Sequence, residues 1–251
     1  MSHWGRVTDN CVVASVEVVL PVYNEAHVLE GSVRSLHGFL SDNLSHEWTI
    51  LIADNGSRDG TFDVAKRLEV ELSGVRVMHI PEAGRGRALS RAWLAGEADV
   101  LAYMDIDLST DLSAFPRLVS ALTDGGHDVA AGSRLDTASE TRRSLKREVL
   151  SRGFVAMINV MFQTRLSDTQ CGFKAIRREC AEKLLPLVQD TGWFWDTELL
   201  LLARKGGWKV TFVPVRWLED KDTRVKIVST VVKDVKGLFR MLRFDWSRAR
   251  R

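Results

Sequence analysis

The sequence predicts an α/β fold, a three-layer sandwich with helices on both faces of a mostly parallel central sheet. Two observations carry that prediction. Short, continuously apolar, β-branched runs alternate with segments of helical periodicity between residues 12 and 133, the pattern of βαβ units rather than of hairpins. Four of the five apolar runs are also closed by polar residues: Tyr23-Asn24-Glu25, Asp54 to Asp59, Asp105 to Asp107, and Ser133-Arg134. In a parallel sheet these strand ends fall on one edge, the edge where ligands bind.

The elements follow in order. Val12 to Val22, almost continuously apolar and β-branched, reads as a buried strand of a parallel sheet closed by Pro21. Asn24 is expected to cap a helix whose apolar face is Leu29, Val33, Leu36 and Leu40. Trp48 to Ala53 is the second strand, followed by a helix carrying Phe62, Ala65, Leu68 and Leu72. Val75 to Ile80 is the third, and Arg87 to Gly96 a short helix. Val100 to Met104 is the fourth, followed by a helix from Phe115 to Thr123 stopped at Gly125-Gly126. Val129 to Ala131 is a short fifth strand.

Beyond it the pattern loosens. Residues 136–148 are polar and basic, and 149–162 apolar and amphipathic. Asp168 to Lys174 reads as a loop entering another short strand, Asp196 to Arg204 as a helix, and Lys209 to Val215 as a strand. One long helix closes the chain. No repeat or linker divides it, so a single domain is expected over residues 1–223, with a basic amphipathic helix over 224–251.

Composition excludes several classes of function. With 251 residues, 45% hydrophobic and 27% charged, the chain can bury a core and is not a disordered polyelectrolyte. A net charge of +2 is not the footprint of a nucleic-acid binder. Cys11, Cys171 and Cys180 supply neither a disulfide framework nor a CxxC zinc site, so a reducing, cytoplasmic compartment is expected. No apolar run reaches the roughly 18–20 residues of a spanning helix, and the first ten residues carry no apolar signal core. The charge is uneven: from Arg224 onward nine Lys/Arg stand against two Asp, leaving a net −5 on residues 1–223.

Asp105-Ile106-Asp107 presents two carboxylates at i and i+2, which on an extended segment face one hard cation; Mg²⁺ or Mn²⁺ takes one or two carboxylates plus phosphate oxygens. The motif is short, and a second copy, Asp220/Asp222, lies in a charged loop. What sets Asp105 and Asp107 apart is the buried strand before them. Asp54 and Asn55 can hydrogen-bond a nucleobase or ribose, while Ser57, Asp59 and Thr61 suit a turn and helix cap. Gly84-Arg85-Gly86-Arg87 precedes a helix, where amides and the Arg85 and Arg87 guanidiniums can hold a diphosphate; the alternative is a solvated basic loop. Arg134 suits a phosphate or a structural pair with a carboxylate such as Asp107. Asp196, among Trp193, Phe194 and Trp195, can serve an acceptor hydroxyl, or can simply complement a helix N-terminus. The six histidines are scattered without ligand spacing and receive no role.

Val19-Leu20-Pro21-Val22-Tyr23-Asn24-Glu25, then DNGSRDGT, GRGRAL, YMDIDLSTD, AGSR and DTQCGFK, occur in one order between about residues 15 and 220. Together they resemble glycosyltransferase family 2, in particular its dolichyl-phosphate mannose and glucose synthase branch. The resemblance implies a Rossmann-like GT-A fold, a nucleotide-diphosphate sugar donor of UDP-glucose or GDP-mannose type, a divalent metal on Asp105 and Asp107, and inverting transfer to a polyprenyl phosphate. It implies donor contacts from Pro21, Tyr23, Asn24, Glu25, Asp54, Asn55, Arg85 and Arg87. Asn55 replaces the second acid usual in the second motif, and Ser109 replaces a Gln frequent in mannose synthases. Two alternatives stand beside this reading: transfer to a soluble hydroxyl, with Asp196 as the base, and an inactive nucleotide-binding scaffold at a membrane.

A polyprenyl acceptor directs attention to the C-terminal helix. Val228, Val232, Val235, Phe239, Leu242 and Trp246 form one apolar stripe, with Lys226, Lys233, Lys236, Arg240 and Arg243 on an adjoining face. That pattern suits an anionic membrane surface, with Val149 to Phe162 as a second contact. The alternatives are a membrane partner protein or packing of the stripe on the body.

Overall fold

The computed structural model describes residues 14–142, 145–218 and 227–251. Asp220/Asp222, Lys226 and the side chain of Val228 lie outside that description. The chain runs β1 (Ser15–Val22), α1 (Ala26–Asn43), β2 (Glu47–Asp54), α2 (Thr61–Glu71), β3 (Val75–His79), α3 (Arg85–Ala95), β4 (Val100–Met104), α4 (Phe115–Thr123), β5 (Val129–Ser133), β6 (Glu140–Arg142), α5 (Leu145–Phe162), β7 (Phe173–Arg177), α6 (Arg178–Leu184), α7 (Trp195–Lys205), β8 (Val210–Pro214), β9 (Arg216–Leu218) and α8 (Ile227–Leu242).

Seven strands form one sheet in the order β3-β2-β1-β4-β7-β5-β8, and β6 and β9 pair separately. All neighbours in the large sheet are parallel except β7, which runs antiparallel to both β4 and β5. The strand order reverses between β1 and β4, and a crevice opens at such a switch point beyond the strand ends. The even apolarity of β1 now has its reason. Val16, Val18, Leu20 and Val22 enter the core beneath α1, α2 and α4, while Val19 enters the opposite core beneath α3, α6 and α7. Both pleat faces are covered, which is why the strand is apolar from Val18 onward, with Ser15 and the buried Glu17 confined to its start.

The loop after β2 starts α1. Asn24 N–H donates to Ser57 Oγ, Glu25 N–H to Thr61 Oγ1 and Ala26 N–H to Asp59 Oδ2, satisfying amides that a helix cannot satisfy itself. Asn24 does not cap the helix as its sequence position suggested. It takes a left-handed backbone, φ +55°, and its Oδ1 accepts from Arg58 N–H at 2.8 Å.

The C-terminal segment also departs from expectation. Helix α8 stops at Leu242, and Trp246 starts a separate 3-10 turn capped by Asp245, so Trp246 does not continue the stripe. Leu238, Met241 and Ala249 are buried in the core shared with α7. Arg251 N–H donates to Gly206 O, and the Arg251 guanidinium lies 3.3 Å from Asp128. The described part of residues 224–251 is thus built into the body. The face of α8 that packs carries Asp234, Leu238 and Met241; the expected stripe residues Val232, Val235, Phe239 and Leu242 face outward.

Candidate active site

Beyond the end of β4, on the side of β7 and β9, a small crevice is lined by Met104, Asp105, Asp107, Leu108, Ser109, Thr110, Gly172 and Trp217. Asp105 and Asp107 lie in a tight turn rather than on the extended segment expected: Leu108 N–H donates to Asp105 O, Ser109 N–H to Asp107 Oδ1, and Leu108 is left-handed at φ +48°. A bulky residue in that region stores strain of the kind found at ligand sites. The antiparallel strand β7 shapes the turn from beneath. Asp105 N–H donates to Gly172 O, and a Cβ on Gly172 would meet Asp105 Oδ2 at 1.7 Å. Only glycine leaves the carboxylate its place.

Arg85 and Arg87 occupy the first turn of α3, which begins two residues earlier than its periodicity suggested. Arg87 donates to Ala83 O at 2.8 Å. Arg85 bridges two carboxylates: Nη2 lies 2.7 Å from Asp105 Oδ1 and Nη1 2.7 Å from Asp196 Oδ2. The rings of Tyr103 and Trp193 flank its guanidinium.

Asp196 therefore lies under the site. It is 3% exposed and is held by Arg85, by Lys174 Nζ at 2.8 Å and by the Tyr103 hydroxyl. Burial pushes its carboxyl pKa up, but the Lys174 and Arg85 cations outweigh burial and hold it below the usual carboxylate range. A base must reach the proton it takes, so this placement is at odds with the role expected of Asp196 toward an acceptor hydroxyl.

Arg134 likewise finds its carboxylate, but not Asp107. Its Nε and Nη2 fork onto Asp168 at 2.8 and 3.1 Å, and Trp217 stacks beneath at 5.5 Å. The fork uses two of five guanidinium N–H donors.

Asp54 and Asn55 end β2 almost fully buried. Asp54 Oδ1 accepts from Ser57 N–H, Oδ2 pairs with His79 Nδ1 at 2.7 Å, and Asn55 Oδ1 accepts from Gly84 N–H at 2.8 Å. Both residues hold neighbouring loops in place. Pro21 and Tyr23 stand at the open end of β1, with Tyr23 exposed, and Asn24 and Glu25 begin the turn into α1.

The sequence reading missed Lys174, Tyr103, His79 and Trp217. Lys174 alone carried a signal, a charge set between Phe173 and Ala175-Ile176. The others join the site through contacts between residues far apart in the chain.

No group of three or more His, Cys, Asp or Glu converges among the described residues. The donor set at the crevice is two carboxylates, Asp105 and Asp107. That fits an ion that completes its shell with phosphate oxygens and water, and does not fit an all-protein cage.

Comparison with known proteins agrees with this architecture. The chain is 38% identical to the glycosyltransferase AglD of Haloferax volcanii, over 96% of this chain and 39% of that protein. It is 30% identical to a dolichyl-phosphate beta-glucosyltransferase of Trichomonas vaginalis, over 83% of this chain and 65% of the relative. It thus spans less than two thirds of the length of either. A solved structure of glucosyl-3-phosphoglycerate synthase from Mycobacterium tuberculosis, in complex with Mn²⁺ and UDP-glucose, superposes with a TM-score of 0.67 at 22% identity, over 91% of this chain and 79% of that one; the likeness establishes a shared GT-A-type fold. The profile of Glycosyl transferase family 2 matches residues 17–185, and the chain belongs to that family.

Proposed function

We propose that the chain transfers a hexose, with inversion, from a nucleoside-diphosphate sugar of UDP-glucose or GDP-mannose type to a polyprenyl phosphate at a membrane surface. The observation that carries the reading is the Asp105–Asp107 turn at the crevice beyond β4, with the Arg85–Arg87 helix start beside it. One motif offers carboxylates to a divalent cation and the other cations to a diphosphate. Asp105 and Asp107 would hold Mg²⁺ or Mn²⁺, which would supply positive charge to neutralise a departing diphosphate.

The bond changes are simple. An acceptor phosphate oxygen attacks the anomeric carbon, the bond from that carbon to the donor diphosphate breaks, and the nucleoside diphosphate leaves. The acceptor oxygen is already anionic near neutral pH, so positioning matters more than proton removal. The commitment of Asp196 to Lys174 and Arg85 supports this acceptor over a hydroxyl, which needs a base. The names of the dolichyl-phosphate relatives point the same way. Arg134 keeps N–H donors beyond its Asp168 fork with which to hold the phosphate.

The exterior of α8 supports the membrane surface. Val235, Phe239 and Leu242 step outward by four and three, with Val231 and Val232 beside them and Lys233 and Lys236 exposed. On α5, Val149, Leu150 and Val160 are exposed too. The two helices meet where Met161, Phe162, Leu242 and Trp246 line one hollow. No helix among the described residues is long and apolar enough to cross a membrane.

A melting-temperature panel of UDP, GDP and their sugars, with and without Mn²⁺, tests the donor, and transfer to a short-chain polyprenyl phosphate tests the acceptor. Metal-dependent stabilisation by UDP over GDP is expected; stabilisation by no nucleotide sinks the enzyme reading. Arg134→Lys should keep donor binding and lose most transfer, because a point charge does not reproduce a guanidinium fork. Co-sedimentation with anionic vesicles should fall with salt, and failure to sediment at low salt removes the membrane surface in favour of a membrane partner protein.

A further inference from the structure

Four ionisable side chains form one chain that runs from the core to the crevice and ends there at Asp105. Lys174 Nζ lies 2.8 Å from Asp196 Oδ1, Asp196 Oδ2 lies 2.7 Å from Arg85 Nη1, and Arg85 Nη2 lies 2.7 Å from Asp105 Oδ1. The charges alternate and cancel. Side-chain exposure rises along the chain, from 0% at Lys174 through 4% and 12% to 41% at Asp105. A buried core cation is thus linked, through one shared carboxylate and one shared guanidinium, to a carboxylate that opens on the crevice. Arg85 is caged by the rings of Tyr103 and Trp193, each centred 5.0 Å from its Cζ. It divides its donors between two acids, whereas a guanidinium forked onto one acid has a single partner.

We propose that Arg85 is a positioning residue that sets the affinity of Asp105 for a divalent cation, and that Asp196 in turn sets how much of Arg85 is lent to Asp105. The inference rests on the reading of Asp105 and Asp107 as the metal-holding pair. A carboxylate beside a guanidinium attracts a second cation less strongly. The protein alone therefore binds the cation weakly, and a nucleoside diphosphate supplies the negative charge that the relay withholds. Cation and donor then enter together. Asp196 acts in the opposite sense to Arg85: its charge draws the guanidinium inward, and without that charge Arg85 rests wholly on Asp105.

Mn²⁺ titrations followed by electron paramagnetic resonance, with the protein alone and with UDP, test this on the full chain. In Arg85→Lys the ammonium is a point donor that does not span both acids; it stays with the buried Asp196 and releases Asp105. That variant should bind Mn²⁺ alone about two- to fivefold tighter than the unaltered protein, the weight of a partly exposed ion pair. Asp196→Asn should bind it weaker by a similar factor. Opposite signs are the signature, because simple damage to the fold weakens both. If Asp196→Asn does not fold, Arg85→Lys decides alone, because damage to the fold weakens Mn²⁺ binding and only the release of Asp105 tightens it. Weaker or unchanged Mn²⁺ binding in Arg85→Lys, with the unaltered protein binding Mn²⁺, overturns the relay. No Mn²⁺ binding by the unaltered protein, even with UDP, overturns the metal reading and the relay with it.

Discussion

Arg85 and Arg134 stand at the same sheet edge, each with a side chain close to 12–13% exposed, and each is neutralised by carboxylates that the sequence separates widely. They are used differently. Arg134 commits its fork to one acid, Asp168, which also accepts the Arg134 and Gln170 backbone N–H groups. Arg85 divides its donors between Asp196 on α7 and Asp105 at the end of β4. A forked pair fixes a loop. A divided pair couples two elements, and the coupling can be redistributed when one acid finds another cation. Similar burial and charge at two positions thus leave one arginine fastened and the other adjustable.

The largest expected effect lies at the open end of the adjustable side. Asp107→Ala should abolish transfer and metal-dependent nucleotide binding, read by calorimetric UDP titrations in Mn²⁺, while Asp222→Ala in the second Asp-x-Asp should change little. Equal losses would erase the distinction between the two motifs.

On the fastened side the loss should appear in stability. Asp168→Ala leaves the Arg134 guanidinium buried without its partner, and breaking such a pair costs about 3–5 kcal/mol. Urea unfolding measures it. A loss below about 1 kcal/mol would mean that Arg134 turns outward to water and that its pairing with Asp168 is incidental to the fold.

Gly172 separates the two arginines in kind. Its missing Cβ is the space that Asp105 Oδ2 occupies, so Gly172→Ala must displace the carboxylate or the β7 backbone. The expected result is a loss of about tenfold or more in Mn²⁺ affinity in the presence of UDP, about 1.4 kcal/mol, with a smaller change in unfolding free energy. Unaltered Mn²⁺ affinity in a folded variant would remove Asp105 from the cation site and leave Asp107 alone.

These contrasts also mark how far the sequence could be read. The strands and helices up to Ser133 were legible because each buried run is bounded by residues with few other uses: Pro21, Asn55-Gly56, Pro81, Gly125-Gly126. The strand-end acids were legible for the same reason. The direction of β7 was not, since a five-residue strand, Phe173–Arg177, reads alike in either orientation. The partners of Arg85 and Arg134 were not, because Asp196 lies 111 residues from Arg85 and nothing local selects it over eighteen other aspartates. On α8 the apolar stripe was legible and its orientation was not. Spacing defines the faces of a helix, and only packing decides which one the body takes.

The smallest expected effect concerns how the fastened side is tied to α8. Gln170, between Asp168 and Gly172, donates from Nε2 to Asp234 Oδ2 at 3.0 Å, and Asp234 Oδ1 is buried without a hydrogen-bond partner among the described residues. Burial pushes the Asp234 carboxyl up from 3.8 to about 6, against the lowering effect of Gln170 and with the Asp190 charge adding to the rise. The folded protein therefore holds this proton more tightly than the unfolded chain does. Its contribution to stability is fully present below about pH 3.8 and is lost as the pH rises through about 6. Asp234→Asn keeps an oxygen for Gln170 and removes the charge. It should be more stable than the unaltered protein by about 1–2 kcal/mol at pH 8, with the difference shrinking toward zero near pH 4. Unfolding in urea at the two pH values gives the comparison directly. A gain that persists at pH 4 would trace to packing rather than to the proton, and a loss at pH 8 would mean that the ionised carboxylate is what holds Gln170, and through it the Asp168 loop, against α8.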